Sequence, residues 1–161
     1  MIALQHILVA SDFGEPATVA LNYGRDLARA YGATLHLVHV VADVMAPYAF
    51  EAGASNVSVI EEMVASSTRE LARLVDSTDW QGLPVRQSIE THSSVAAGLV
   101  DYAQEQSIDL IVVGTHGRSG VAAFFLGSVA ERVVRTAPCP VLTVRSHERD
   151  FVAVDAVAAP R

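Results

Sequence analysis

The residues of this chain best suited to chemistry are small and act through their backbone. Gly114, Gly117 and Gly127, with Ser128 following, run from the end of an apolar stretch into an amphipathic helix that opens at Ser128 and Val129. Glycine lets the backbone approach a ligand closely, and the first N–H groups of a helix lack intrahelical partners, so the pattern suits a phosphate. Arg118 is the one cation between Thr115 and Leu126, and its guanidinium fork could pair with phosphate oxygens or simply be solvated. Ser128 has a rival explanation: Ser128 and Glu131 are spaced as a capping box, which would satisfy the helix start without any ligand. Asp12, directly after a second apolar run, either caps the next helix or accepts hydrogen bonds from ribose hydroxyls or an adenine amine.

Several chemistries are excluded. The chain has 161 residues and no lysine; all eleven basic residues are arginines, which removes the Walker-type phosphate loop and its essential lysine. Any phosphate site must therefore use backbone N–H groups, a helix dipole, arginine or a metal. The net charge of −7 argues against nucleic acid, which requires a cationic surface. Cys139 is the single cysteine, so no internal disulfide forms, and it reads as a small apolar residue between two prolines. The six histidines form no metal-ligand pattern: His36 and His39, an odd number of residues apart, fall on opposite faces of a strand. No Ser/His/Asp triad can be assembled, and Ser11 lacks the context of a nucleophile elbow, so no catalytic residue is expected.

The elements that must position these groups alternate. Strands are expected at Ile7 to Ala10, Thr34 to Val41, Val85 to Glu90, Asp109 to Val113 and Val141 to Arg145. Helices are expected at about Pro16 to Tyr31, Val57 to Asp76, Ser93 to Gln106 and Ser128 to Thr136, with apolar stripes that include Tyr31 in the first and Met63 in the second. Pro16 suits a first helical turn and Gly32 the position past a helix end. Strands one and four are uniformly apolar, as central parallel strands covered on both faces must be, whereas strand three alternates like an edge. Five strands and four helices in alternation predict an α/β, doubly wound parallel sheet of order 3-2-1-4-5, Rossmann-like, with helices on both faces. Its ligand crevice lies where the winding reverses, between strands one and four, and there Asp12 and the glycine segment converge. The connection from Thr115 to Leu126 exceeds the roughly two to six residues usual between strand and helix, which marks it as functional.

Charges break every apolar run before membrane-spanning length, and the opening residues lead straight into a strand rather than a secretory leader, so the expected location is the cytoplasm. One domain over residues 1–146 is expected, with residues 147–161 forming a tail or an arm that docks on a neighbour.

The spacing Gly-x2-Gly-x9-Gly-Ser, carried by Gly114, Gly117, Gly127 and Ser128, resembles the ATP-binding signature of the universal stress protein family, within the adenine nucleotide alpha hydrolase-like folds. The resemblance extends from Ile7-Leu8-Val9-Ala10-Ser11-Asp12 through Val38-His39-Val40 to Pro138 and Arg145, with Ala10 standing where some members carry proline. It implies that Asp12 and the backbone at Val40 hold adenine and ribose, and that Gly114, Gly117, Gly127, Ser128 and Val129 take the phosphates of ATP, with Mg or Mn bound through them. It also implies a homodimer paired along strand five, Val141 to Val144, and an unidentified protein partner. The implied function is a regulatory ATP-binding protein of the stress response without efficient catalysis. Two alternatives stand beside it: a slow ATPase or nucleotidyl-transfer enzyme of the same fold, and a nucleotide-free interaction module.

Overall fold

A computed structural model describes residues 2–43, 57–115 and 127–145 of the chain. Five strands form one parallel sheet: β1 (His6–Ala10), β2 (Thr34–Ala42), β3 (Val85–His92), β4 (Leu110–Gly114) and β5 (Val141–Val144). The helices between them are α1 (Glu15–Tyr31), α2 (Val57–Asp76), α3 (Val95–Glu105) and α4 (Ser128–Thr136). The strand order is β3-β2-β1-β4-β5, as the hydrophobic patterning predicts. Ile7, Leu8 and Val9 of β1 and Ile111 and Val112 of β4 are fully buried, because central strands of a doubly wound sheet have no solvated face.

Two apolar layers hold the sheet. On one face, Ala20, Leu21 and Ala28 of α1 and Leu71 of α2 pack on Ile7, Val9, Leu35, Leu37 and Val112. On the other, Leu99 and Ala103 of α3 and Val133 of α4 pack on Leu8, Val38, Val40 and Ile111. The alternation of Cβ direction along each strand assigns neighbouring residues to opposite layers. Half-buried Cys139 packs against the second layer, and burial pushes its thiol up, followed by the charge of Asp109, in keeping with an apolar role.

Some expected details shift. Strand β3 runs to His92 rather than Glu90, and α3 begins at Val95 because Ser94 takes the cap and its hydroxyl accepts the Ala97 N–H. Tyr31 and Met63, placed on apolar stripes, are 43% and 45% exposed. Tyr31 is the last residue of α1, beside Gly32 in the left-handed region, where the chain leaves the helix for β2. The segment 147–161 lies outside the described residues. Among the described residues no helix is long and apolar enough to cross a membrane.

The second layer contains a buried polar connection. His36 of β2 is fully buried, its Nδ1 lies 3.0 Å from the Tyr102 hydroxyl on α3, and its Nε2 lies 3.1 Å from Nδ1 of His6 on β1. Satisfied on both nitrogens, the ring is held neutral: burial, then the charges of His6 and Arg86, lower its pKa to about 4. The unfolded chain takes up this proton near the ordinary value of 6.5 and the folded chain only near 4, so stability is full above pH 6.5 and declines as pH falls toward 4. The loss attributable to His36 is on the order of 3 kcal/mol. Urea unfolding at pH 7 and pH 4.5 checks it: a His36→Phe variant loses markedly less stability between the two than the parent chain, and equal losses refute the assignment.

Candidate functional site

The site begins with a step in the sheet. β1 pairs with β2 only as far as Ala10 opposite Val38, while β2 continues beside β3 to Ala42 opposite His92. Backbone groups of a strand point alternately to its two neighbours. The Thr34 N–H bonds to Gln5 and the Val38 carbonyl accepts from Ser11 at 2.9 Å, both on the β1 side, whereas the Leu35 and Asp43 N–H groups bond toward β3. By the same alternation the N–H and C=O of Val40 point to the β1 side, above the place where β1 has left the sheet. They present a donor and an acceptor to the opening.

Beyond Ala10 the chain turns sharply. The Ser11 hydroxyl accepts the Phe13 N–H at 3.2 Å, and the Asp12 carboxylate accepts the Gly14 N–H at 2.9 Å. Phe13 sits at φ 63, the left-handed region, at a cost of about 1–2 kcal/mol for a residue with a side chain. Its ring lies on His39, with centroids 4.6 Å apart, and Nδ1 of His39 is 2.8 Å from the Ser11 carbonyl. Asp12 does not cap α1: the cap position is Gly14, two residues later, which has no side-chain cap. The carboxylate is instead held by the turn, with its second oxygen left for another donor.

The opposite side of the opening is the start of α4. Here the capping box is overturned. The cap residue is Gly127, Ser128 already lies inside the helix, and no side chain caps the end. The Gly127 N–H donates to the Thr115 carbonyl at 2.6 Å, and its own carbonyl accepts the first helical bond, from Glu131. Glycine is thereby fixed in the cap position, and Glu131 pairs with Arg135 at 3.0 Å instead of reaching back to the cap. The leading N–H groups of α4 thus keep their donors, with the positive end of the helix dipole behind them.

A cavity of about 440 Å³ lies between these groups. Asp12, Val40, Gly114, Gly127, Ser128 and Val129 line it together, while Gly117, Arg118 and His116 fall outside the described residues. The volume is in the range of small-ligand sites. Its wall on the α3 side is apolar, from Val38, Val95 and Leu99. Two further lining residues, Ser11 and His39, carry no site signal in the sequence, because their parts depend on a turn that no spacing encodes. Among the described residues no cluster of three or more His, Cys, Asp or Glu could hold a metal ion. Gly114 also has a packing reason to be glycine: a Cβ there would meet the backbone of Pro16 at 2.9 Å, so α1 crosses β4 only over a bare backbone.

The model of the universal stress protein family matches residues 3–145. The chain belongs to the universal stress protein family. A universal stress protein of Thermus aquaticus is 32% identical over 142 residues, covering 86% of this chain and 97% of its own length. The solved structure of the hypothetical protein MJ0577 shares the fold, with a TM-score of 0.75 at 22% identity over 92% of this chain and 100% of its own. A universal stress protein solved in complex with cAMP is similar at 25% identity and a TM-score of 0.56, over 89% of this chain and 98% of its own.

Two substitutions separate packing from capping at this site. Ser128→Ala leaves urea stability within about 0.5 kcal/mol, since no cap is lost; a drop of about 1 kcal/mol or more would reinstate the capping box. Gly114→Ala destabilises by about 1–3 kcal/mol through the contact with Pro16, and an unchanged unfolding midpoint would refute that packing.

Proposed function

We propose that this universal stress protein binds ATP at the carboxyl ends of β1, β2 and β4 as a regulatory ligand of a stress response, without efficient catalysis. One observation carries the reading: Asp12, the outward-facing backbone of Val40 and the uncapped start of α4 converge on one cavity. Val40 offers the donor and acceptor that an adenine edge requires, and Asp12 suits ribose hydroxyls or the exocyclic amine. Gly114, Gly127, Ser128 and Val129 take the phosphates, joined by Gly117 and Arg118, and Mg or Mn is carried by the phosphates themselves. The apolar wall of Val38, Val95 and Leu99 fits a base. The similar protein in complex with cAMP supports an adenine nucleotide as the ligand class.

Calorimetry with magnesium and ATP tests the reading. Heat of binding is expected at about 100 μM protein, and its absence, which bounds the affinity at roughly millimolar or weaker, sinks the proposal. Gly127→Val removes the heat while leaving the fold intact. The backbone there, φ −58 and ψ 148, is open to any residue, yet a branched side chain occupies the place of a phosphate.

We further propose a homodimer along β5, which among the described residues is an edge strand paired with β4 alone. The Thr115 N–H bonds to the Val144 carbonyl and the Ile111 N–H to the Pro140 carbonyl. By alternation Val141 and Thr143 direct their backbone groups outward, free to pair with a second copy. Thr143→Pro deletes one outward donor and spares the β4 ladder. Light scattering is expected to show a dimer for the parent chain and a monomer for this variant; a dimer in both refutes the β5 seam.

A further inference from the structure

We propose that His39 is a positioning residue of this site: it braces the turn after β1 so that the Asp12 carboxylate is presented, already oriented, to the nucleoside end of the ligand. The inference rests on the proposed nucleotide reading and goes beyond it, since it assigns a role to a side chain that the glycine signature does not contain.

The Ser11 carbonyl can only accept, so the 2.8 Å contact fixes the proton of a neutral His39 on Nδ1 and leaves Nε2 as an acceptor. The same ring also carries Phe13, with planes inclined by 32°. One side chain thus grips the residues on both sides of Asp12. Phe13 is in the left-handed region, which a phenylalanine occupies only when its surroundings hold it there. The Phe13 N–H in turn bonds back to Ser11, and the Gly14 N–H holds one Asp12 oxygen. Without the ring, the turn relaxes toward ordinary backbone angles and the carboxylate loses its direction. Asparagine or phenylalanine would each reproduce only half of the arrangement: the first a donor near the Nδ1 position, the second a ring for Phe13. Histidine supplies both from β2, a strand whose backbone no longer pairs with β1 at this height.

Two measurements on the intact chain test this. In the nucleotide-free protein, amide hydrogen exchange at Gly14, whose N–H is held by Asp12, is expected to accelerate about tenfold or more in His39→Ala, with exchange in β1 and β4 unchanged. Calorimetry with ATP and with AMP is expected to show affinity falling by a similar factor, about tenfold, for both nucleotides, because the loss lies at the nucleoside and not the phosphates. His39→Asn, which keeps a donor, recovers part of both effects. Unchanged Gly14 exchange in His39→Ala overturns the brace whatever the ligand. So does ATP affinity within twofold of the parent chain, a loss confined to ATP, or His39→Asn behaving as badly as His39→Ala. If Gly14 exchange accelerates but the parent chain binds neither nucleotide, the nucleotide reading fails and this inference falls with it.

Discussion

The site depends on one mismatch of strand length. β1 leaves the sheet at Ala10, while β2 and β3 stay paired to Ala42 and His92. Had β1 continued, the backbone of Val40 would be consumed by ladder hydrogen bonds and the cavity would be filled with strand. Its early exit does two things at once. It leaves a polar backbone edge facing an opening, and it forces the turn that sets Asp12 beside that edge. The reversal of winding between β1 and β4 then keeps the space clear, because α1 departs to one face of the sheet and α3 covers the other.

The sequence carried the order of the strands because burial on two faces leaves a simple mark. Ile7-Leu8-Val9 and Ile111-Val112-Val113 have no polar interruption, whereas β3 alternates. It also carried the convergence of Asp12 with Gly114 and the start of α4, since both follow central strands. Cap geometry was not legible. Ser128 and Glu131 have the spacing of a capping box, but that motif requires the serine itself to be the cap, and the Gly127–Thr115 bond moves the cap one residue earlier. A contact between residues twelve apart decided a question that looked local. The exposure of Tyr31 and Met63 has a similar origin: helical periodicity names a face, not where the partner layer ends. The His36–Tyr102 contact and the left-handed Phe13 leave no trace in spacing at all.

The two glycines with the clearest roles answer to different neighbours. Gly114 is bare because Pro16, at the start of α1, passes against its backbone, so the crossing of helix and strand rules out any side chain. Gly127 has an unexceptional backbone that would accept other residues. Its φ does not demand glycine, but glycine is among the residues favoured at a helix cap. A helix start capped by glycine rather than by a capping side chain forgoes roughly a few tenths of a kcal/mol. An external anion at those N–H groups would return a comparable amount.

The two histidines of β2 extend the logic of the step. Ladder hydrogen bonds tie β2 to β1 only from Thr34 to Val38, and a strand beyond its ladder needs other restraints. His36, within the ladder, connects β2 downward through Tyr102 to α3 and sideways to His6, so it ties a sheet strand to a helix that backbone bonding cannot reach. His39, on the opposite face and just past the last paired residue, bonds to the Ser11 carbonyl immediately after β1 ends. The side chain therefore takes over where the backbone ladder stops. A planar ring suits this position better than a flexible chain, because it combines a directed N–H with a flat surface at little cost in rotamer entropy. The carboxylate and the Val40 backbone are thus held by the ends of strands, while the Gly127–Thr115 bond ties the start of α4 to the end of β4. A ligand that spans the cavity would meet a preformed edge at its base and the open start of a helix at its phosphates.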